Sequence, residues 1–156
     1  MCVVAAATAS CERGNVESLD SIEAANAGTA YATPIEGMET SPAGEGEVIH
    51  LLRGETSGFE NLSFILTETA PGGGPPLHVH ESEEAHVLQS GTIGYIIGGK
   101  RFEVVAPYVV RIPAGVPHTF VNRGTSPAQL IGVFASKHYT FEETGPNPLQ
   151  PQKAGK

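Results

Sequence analysis

The stretch GGGPPLHVHESEEAHVLQSG, residues 72–91, decides how the rest of the chain is read. His78 and His80 stand two apart. In a β-strand residues two apart point to the same side, so both imidazoles can address one point. Glu84 follows after three intervening residues, and Gly91 closes the segment. Glu84 and His86 share a second strand-like run, residues 84–88, and their equal parity puts both on one face if the chain turns back through 81–83. Two neutral imidazoles and a carboxylate make a borderline nitrogen-and-oxygen set. Such a set suits one divalent transition metal ion: iron, manganese, nickel, cobalt, copper or zinc.

A fourth ligand is expected from PAGVPHTFVN, residues 113–122. Pro113 and Gly115 make a tight turn, Pro117 ends it, and His118 opens a strand whose alternate residues are Phe120 and Asn122. These two segments resemble the two motifs of the cupin superfamily. The first is matched at Gly72, His78, His80, Glu84 and Gly91, the second at Pro113, Gly115, His118 and Asn122. One departure is Pro107, which stands where the second motif would open on glycine and touches no ligand. The resemblance implies an all-β fold, a double-stranded β-helix or small jelly-roll barrel, with the ion on His78, His80, Glu84 and His118 inside its mouth. A barrel that keeps the fold without the metal is the alternative.

Bulk composition agrees with a β-rich domain. The chain has 156 residues, 40% of them hydrophobic, with 19 Gly and 12 Pro, which favour many turns over long helices. The net charge of -8 argues against nucleic acid or an anionic membrane as partner, since phosphate binding needs a basic face. Eight of the 17 acids (Glu12, Glu17, Asp20, Glu23, Glu36, Glu39, Glu45, Glu47) precede His50, against a single Arg13, so the acidity is assigned partly to the N-terminal segment and not to the pocket. Cys2 and Cys11 are the only cysteines and give neither a disulfide framework nor zinc-finger spacing. The opening MCVVAAATASCERGN looks like the end of a lipoprotein signal with Cys11 as the lipidated residue, but its apolar run is short and lacks a basic flank. It is read as a leader on a cytoplasmic protein, with export and a Cys11 anchor as the alternative. No stretch reaches the roughly 20 apolar residues of a transmembrane helix.

Three regions follow: a leader or N-terminal arm over 1–46, a barrel over 47–142 and a tail over 143–156. Residues 16–27 could form a helix or an arm on a partner subunit. Strands are expected at 48–53, 61–69, 84–88, 92–97, 101–105, 108–112, 118–122 and 128–136, with 139–141 as a continuation and Gly98-Gly99 as a tight hairpin turn. Long edge strands and the resemblance imply a homodimer. Phe64, Leu66, Tyr95, Ile97, Phe102, Phe120, Ile131 and Val133 are the candidate lining residues, their faces unassigned.

Three imidazoles and a carboxylate leave roughly two positions open on a six-coordinate ion, where chemistry can occur. An apolar pocket suits a small enolic or aromatic substrate. The resemblance extends loosely to quercetinase-like dioxygenases. A metal-dependent dioxygenase is therefore the first reading, with Glu84, His86 and Tyr95 as catalytic residues: Glu84 leaving the metal to take a proton, His86 as proton shuttle or substrate contact, Tyr95 as donor to a bound substrate. His86 and Tyr95 have plainer readings as a wall histidine and a core aromatic. Non-redox isomerase, lyase or cyclase chemistry, or a non-catalytic binding module, are the alternatives. Asn122 is assigned to the turn or to support of His118, His50 and His138 to the surface, and Arg53, Arg101 and Arg111 to the outside of the barrel.

Overall fold

The computed structural model describes residues 31–151. Cys11 and the expected helix or arm at 16–27 lie outside these residues. Ten strands occur in chain order: β1 (Glu39–Leu52), β2 (Ser63–Gly74), β3 (Leu77–Val79), β4 (Glu84–Ser90), β5 (Thr92–Ile97), β6 (Lys100–Val105), β7 (Tyr108–Ile112), β8 (His118–Asn122), β9 (Ala128–Phe134) and β10 (Glu142–Gly145). They form two five-stranded sheets, β1-β2-β9-β4-β7 and β10-β3-β8-β5-β6, paired antiparallel throughout. The architecture is a jelly-roll barrel. Among the described residues no helix is long and apolar enough to cross a membrane; the one α-helix, α1 (Gly54–Ser57), is a single turn.

Period-two patterning builds the walls. In β2 the side chains of Ser63, Ile65, Thr67 and Thr69 are buried while Phe64, Leu66 and Glu68 face out, and β9 alternates the same way. The inward residues form two apolar clusters. One gathers Leu88, Ile93, Tyr95, Val104, Val110, Ile112, Phe120, Ala128 and Leu130; the other gathers Ile49, Leu51, Ile65 and Phe134. The histidines of the first motif lie on the wall that faces the second cluster, so the site occupies one end of the barrel.

Turn chemistry falls where the sequence puts it. Gly98 and Gly99 both have positive φ (55° and 78°) and close the β5–β6 hairpin, a conformation that β-carbons oppose. Gly91 also has positive φ (98°), and a β-carbon there would come within 2.7 Å of the Ala128 side chain. The Ala106-Pro107 peptide, where the second motif departs from glycine, is cis.

Several boundaries differ from the sequence reading. β1 begins at Glu39, inside the stretch read as leader, and β2 runs on through Gly74. Residues 139–141 are not a strand: Thr140 accepts from His80 Nδ1–H on its carbonyl oxygen and from the Glu81 amide on its hydroxyl oxygen, so the segment folds over the barrel mouth. β10 takes the strand role instead, pairing with β3. The tail stays attached through Asn147, whose buried side-chain amide donates to Pro75 O and Phe120 O.

Candidate metal centre

His78 and His118 meet because β3 and β8 pair them directly across the sheet. Their rings lie 4.2 Å apart, and His80, just past the end of β3, completes a triangle at 4.8 Å and 5.3 Å. One ligand atom from each of His78, His80 and His118 lies within 4.8 Å of the other two, all three residues buried. The turn of the second motif fixes the approach. Gly115, at φ 70°, donates its amide to His80 O at 2.8 Å, tying the His118 turn to the His80 loop.

Each ring is oriented from behind. Nδ1–H of His78 donates to Pro76 O at 2.8 Å, that of His118 to Val116 O at 2.9 Å, and that of His80 to Thr140 O. The Nε2 lone pairs are thereby left to face the interior, the tautomer a metal-binding imidazole needs. Glu84, the first residue of β4, brings Oε2 to 3.2 Å from His118 Nε2 and 3.5 Å from His80 Nε2. His118 Nε2 and Glu84 Oε2 are both buried without a hydrogen-bond partner. With Nδ1 carrying the proton, His118 Nε2 cannot donate to the carboxylate. Two desolvated acceptors face each other, which costs free energy unless a cation stands between them. The residues fit a metal ion on this ground.

Electrostatics keep the site ready for one. Burial, helped by the neighbouring His118, pushes the His78 pKa down to about 3, and burial lowers that of His80 as well, so both rings are neutral ligands. Burial pushes the Glu84 carboxyl up, but the surrounding imidazoles, His86 foremost, outweigh it and hold the group below the usual carboxylate range. His78, His80 and the carboxylate are thus poised in the protonation states that suit a metal ion.

His86 and Tyr95 stand behind this carboxylate. His86 Nε2–H donates to Glu84 Oε1 at 2.7 Å, while its Nδ1 lies 3.2 Å from Tyr95 Oη, which donates in turn. Both nitrogens of His86 are occupied, and Tyr95 is buried with its pKa raised by burial, outside the cavity wall. Tyr95 can therefore reach a guest only through His86 and Glu84. Asn122 serves the following turn: it donates to Thr69 O and Ser126 O and accepts from the Gly124 amide.

A cavity of about 40 Å³ adjoins the ligands. Its lining includes Phe120 and Phe134 at the back, and Tyr139 and Phe141 at the mouth, with Phe141 stacked 4.5 Å over His78. Of the sequence candidates, Phe120 lines it and Tyr95 borders it through His86. Phe64, Leu66, Ile131 and Val133 face outward: Phe64 packs at a tilt against Phe59, and Leu66 and Ile131 line an external groove of about 500 Å³. Among the described residues no Lys or Arg lines the cavity. Arg53 pairs with Glu39 at 2.9 Å and Arg111 with Glu83 at 2.7 Å, both outside, while Arg101 is exposed. His50 and His138 sit at the surface against Thr40 and Glu55.

Two residues here escape a reading of sequence alone. Glu47, counted above among the acids of the N-terminal segment and away from the pocket, is buried in this cavity: β1 turns Glu47, Ile49 and Leu51 inward together. Gly132 lies in mid-strand opposite His86, and a β-carbon there would stand 3.0 Å from Glu84 Oε1. Its signal was an isolated glycine in an apolar strand, which marks a close approach. Gly132→Val is expected to displace the Glu84 carboxylate and lower metal affinity about 10–100-fold, the range found for partners that orient ligands. Competition against a chromogenic chelator measures it; unchanged affinity would show that Glu84 has room to spare.

The same shifts set how stability depends on pH. The unfolded chain takes up a proton on His78 below its ordinary value of 6.5, while the folded ring resists until about pH 3. Stability supplied by the neutral ring is therefore present above pH 6.5 and lost on acidification, at about 1.4 kcal/mol per pH unit. Glu47 acts oppositely. Burial raises its pKa to about 7, so between pH 7 and its ordinary 4.5 the folded carboxyl binds a proton the unfolded one does not. These two nearly cancel, and His80, shifted in the same direction as His78, tips the balance to a net loss. Metal-free protein should lose stability from pH 6.5 to 4.5, and Glu47→Gln should steepen the loss by about 1.4 kcal/mol per unit. Urea unfolding at three pH values in that window reads both slopes.

Comparisons with known proteins place this geometry. The family description "Cupin domain" matches residues 65–134. Oxalate decarboxylase from Lactobacillus farciminis, solved as a formate complex, superposes with a TM-score of 0.65 at 21% identity, over 70% of this chain and 34% of that one. A variant of Bacillus subtilis oxalate decarboxylase gives 0.64 at 20% identity, over 70% and 31%. The polyketide cyclase RemF from Streptomyces resistomycificus gives 0.60 at 19% identity, over 75% and 87%. The chain thus spans about a third of the oxalate decarboxylase chains and most of the cyclase. A search of curated proteins found no match. Two antiparallel sheets, both histidine-bearing motifs at one end of the barrel and the match over 65–134 converge on a cupin domain in that part of the chain.

Proposed function

We propose that His78, His80, His118 and Glu84 hold one divalent transition metal ion and that the protein is a metal-dependent dioxygenase acting on a small enolic or aromatic substrate. The carrying observation is the pair of buried, unpartnered acceptors, Glu84 Oε2 and His118 Nε2, set 3.2 Å apart beside two further neutral imidazoles. An ion held there supplies Lewis acidity to a substrate hydroxyl and, if redox-active, a route for electrons to dioxygen. The chain's own groups do the rest. His86 fixes Glu84 by the 2.7 Å bond to Oε1, leaving Oε2 to the ion. Phe120, Phe134, Tyr139 and Phe141 exclude water. A cavity of about 40 Å³ is far below the roughly 300 Å³ that drug-sized ligands fill. The closed arrangement therefore favours the small, enolic end of the substrate range, and a ring enters only if Tyr139 and Phe141 move aside.

A second reading, proton-transfer chemistry of isomerase, lyase or cyclase type, draws on the Tyr95–His86–Glu84 hydrogen-bond chain, which can polarise Glu84 without any oxidant. Metal analysis of protein purified without added ions, followed by oxygen uptake with a panel of enols and flavonoids, tests the first reading. Oxygen-independent turnover selects the second, and a stoichiometric metal with no turnover in either assay leaves a non-catalytic binding module.

The proposal includes a homodimer. On the outer face, His50, Leu66, Ile131, Val87 and Val109 form one row across five strands, each opposite the next. Val109 is 64% and Val48 47% exposed, an apolar face of the kind that copies of a chain cover. Sedimentation velocity at micromolar concentration should show two copies; a monomer would remove this part.

A further inference from the structure

The metal cavity contains a second carboxylate that holds no place among the ligands. Glu47 is 4% exposed, on β1, across the cavity from the motif residues. Its Oε1 accepts the Thr67 hydroxyl at 3.1 Å, which fixes the group; its Oε2 is buried with no hydrogen-bond partner. Thr69, directly opposite Glu47 in the β1–β2 ladder, sets a buried hydroxyl beside the same carboxylate. Retaining such a group inside an apolar wall costs free energy that a glutamine or leucine would not. No cation among the described residues lines the cavity to offset it.

We infer that Glu47 is the proton acceptor and hydroxyl anchor of the cavity, touching a substrate that docks on the ion. This rests on the metal-site reading above. The step is a simple transfer: the substrate O–H bond breaks, its electron pair stays on the oxygen, and the proton forms an O–H bond with Glu47 Oε2, to be returned to the product. Ligands with an ionisable hydroxyl beside a second donor atom, such as enols, α-hydroxy acids and hydroxamates, have the matching chemistry. A carboxyl held near pH 7 by burial and by the Glu84 charge is suited to that exchange at neutral pH. Glu84 remains free to stay on the metal, since the proton has another destination. Unlike Glu84, Glu47 can be neutralised without touching a ligand.

Glu47→Gln tests this, because the amide oxygen can still accept from Thr67. The probe is acetohydroxamate, titrated into cobalt-loaded protein and followed by the visible spectrum of the ion, alongside infrared difference spectra. Wild-type protein should bind the hydroxamate with a carboxyl C=O band appearing as it binds; Glu47→Gln should retain one cobalt per chain, lose that band and bind the probe at least about 10-fold more weakly. In any reaction the panel reveals, the variant should lose about 100-fold or more in kcat and the pH-rate limb near neutrality. Equal hydroxamate affinity in the two proteins would overturn the inference and leave Glu47 a structural carboxyl held by Thr67. Failure of the metal-site reading looks different: wild-type protein would then bind no cobalt at all. Should hydroxamate binding depend on Glu47 while no panel substrate turns over, the dioxygenase reading falls and the assignment of Glu47 stands.

Discussion

His118→Ala protein is expected to emerge from purification without metal and without activity. His118 is 1% exposed, and it faces both His78 across the β3–β8 pair and the Glu84 carboxylate. Its removal takes away one nitrogen ligand and the counterpart of Glu84 Oε2 together. Loss of a partner that merely orients a ligand costs about 10–100-fold in affinity, so loss of the ligand itself should exceed about 100-fold. Inductively coupled plasma mass spectrometry on variant and wild type measures the effect, with circular dichroism to show that the strands remain. A variant with full metal occupancy and full turnover would contradict the proposed coordination.

Metal loading should also raise the thermal midpoint by roughly 10–20 °C. By mass action, a ligand at about a thousand times its dissociation constant stabilises the folded state by about 4 kcal/mol, and in a domain of this size each kcal/mol moves the midpoint by several degrees. The site adds a reason of its own. Without a cation, His118 Nε2 and Glu84 Oε2 are desolvated acceptors with nothing to accept, so removing the ion leaves the barrel with an uncompensated polar pair. Scanning fluorimetry with EDTA and after reloading measures the difference. His118→Ala should show no such rise, and a wild-type midpoint indifferent to chelation would place the ion elsewhere or nowhere.

Glu47 and the ligands push in opposite directions on the metal-free barrel, and both effects trace to burial. A neutral histidine inside the wall gains nothing from acid, whereas an isolated carboxyl there takes up its proton early. The cavity is therefore expensive in stability on two counts, as sites built for chemistry commonly are.

The sequence alone determined the four candidate ligand residues and most of the strands that carry them. His78 and His80 are two apart, the first on a strand and the second just past its end, Glu84 opens the next, and His118 follows a Pro-Gly turn; each of these relations is local and survives as spacing. Glycine turns were equally legible, because Gly98-Gly99 and Gly91 answer a backbone demand made within a few residues. What only the tertiary structure decided depends on register between strands far apart in the chain. Glu47 reads as one more acid in an acidic segment until β1 sets it opposite Thr69 and turns its face inward. Gly132 reads as a gap in an apolar strand until β4 lays His86 and Glu84 beside it. Residues 139–141 alternate like a strand, yet the hydrogen bonds from His80 and Glu81 draw them over the mouth. A one-residue slip in any of these ladders would reverse every face, and nothing in the spacing of a single segment records which register the partner strand imposes.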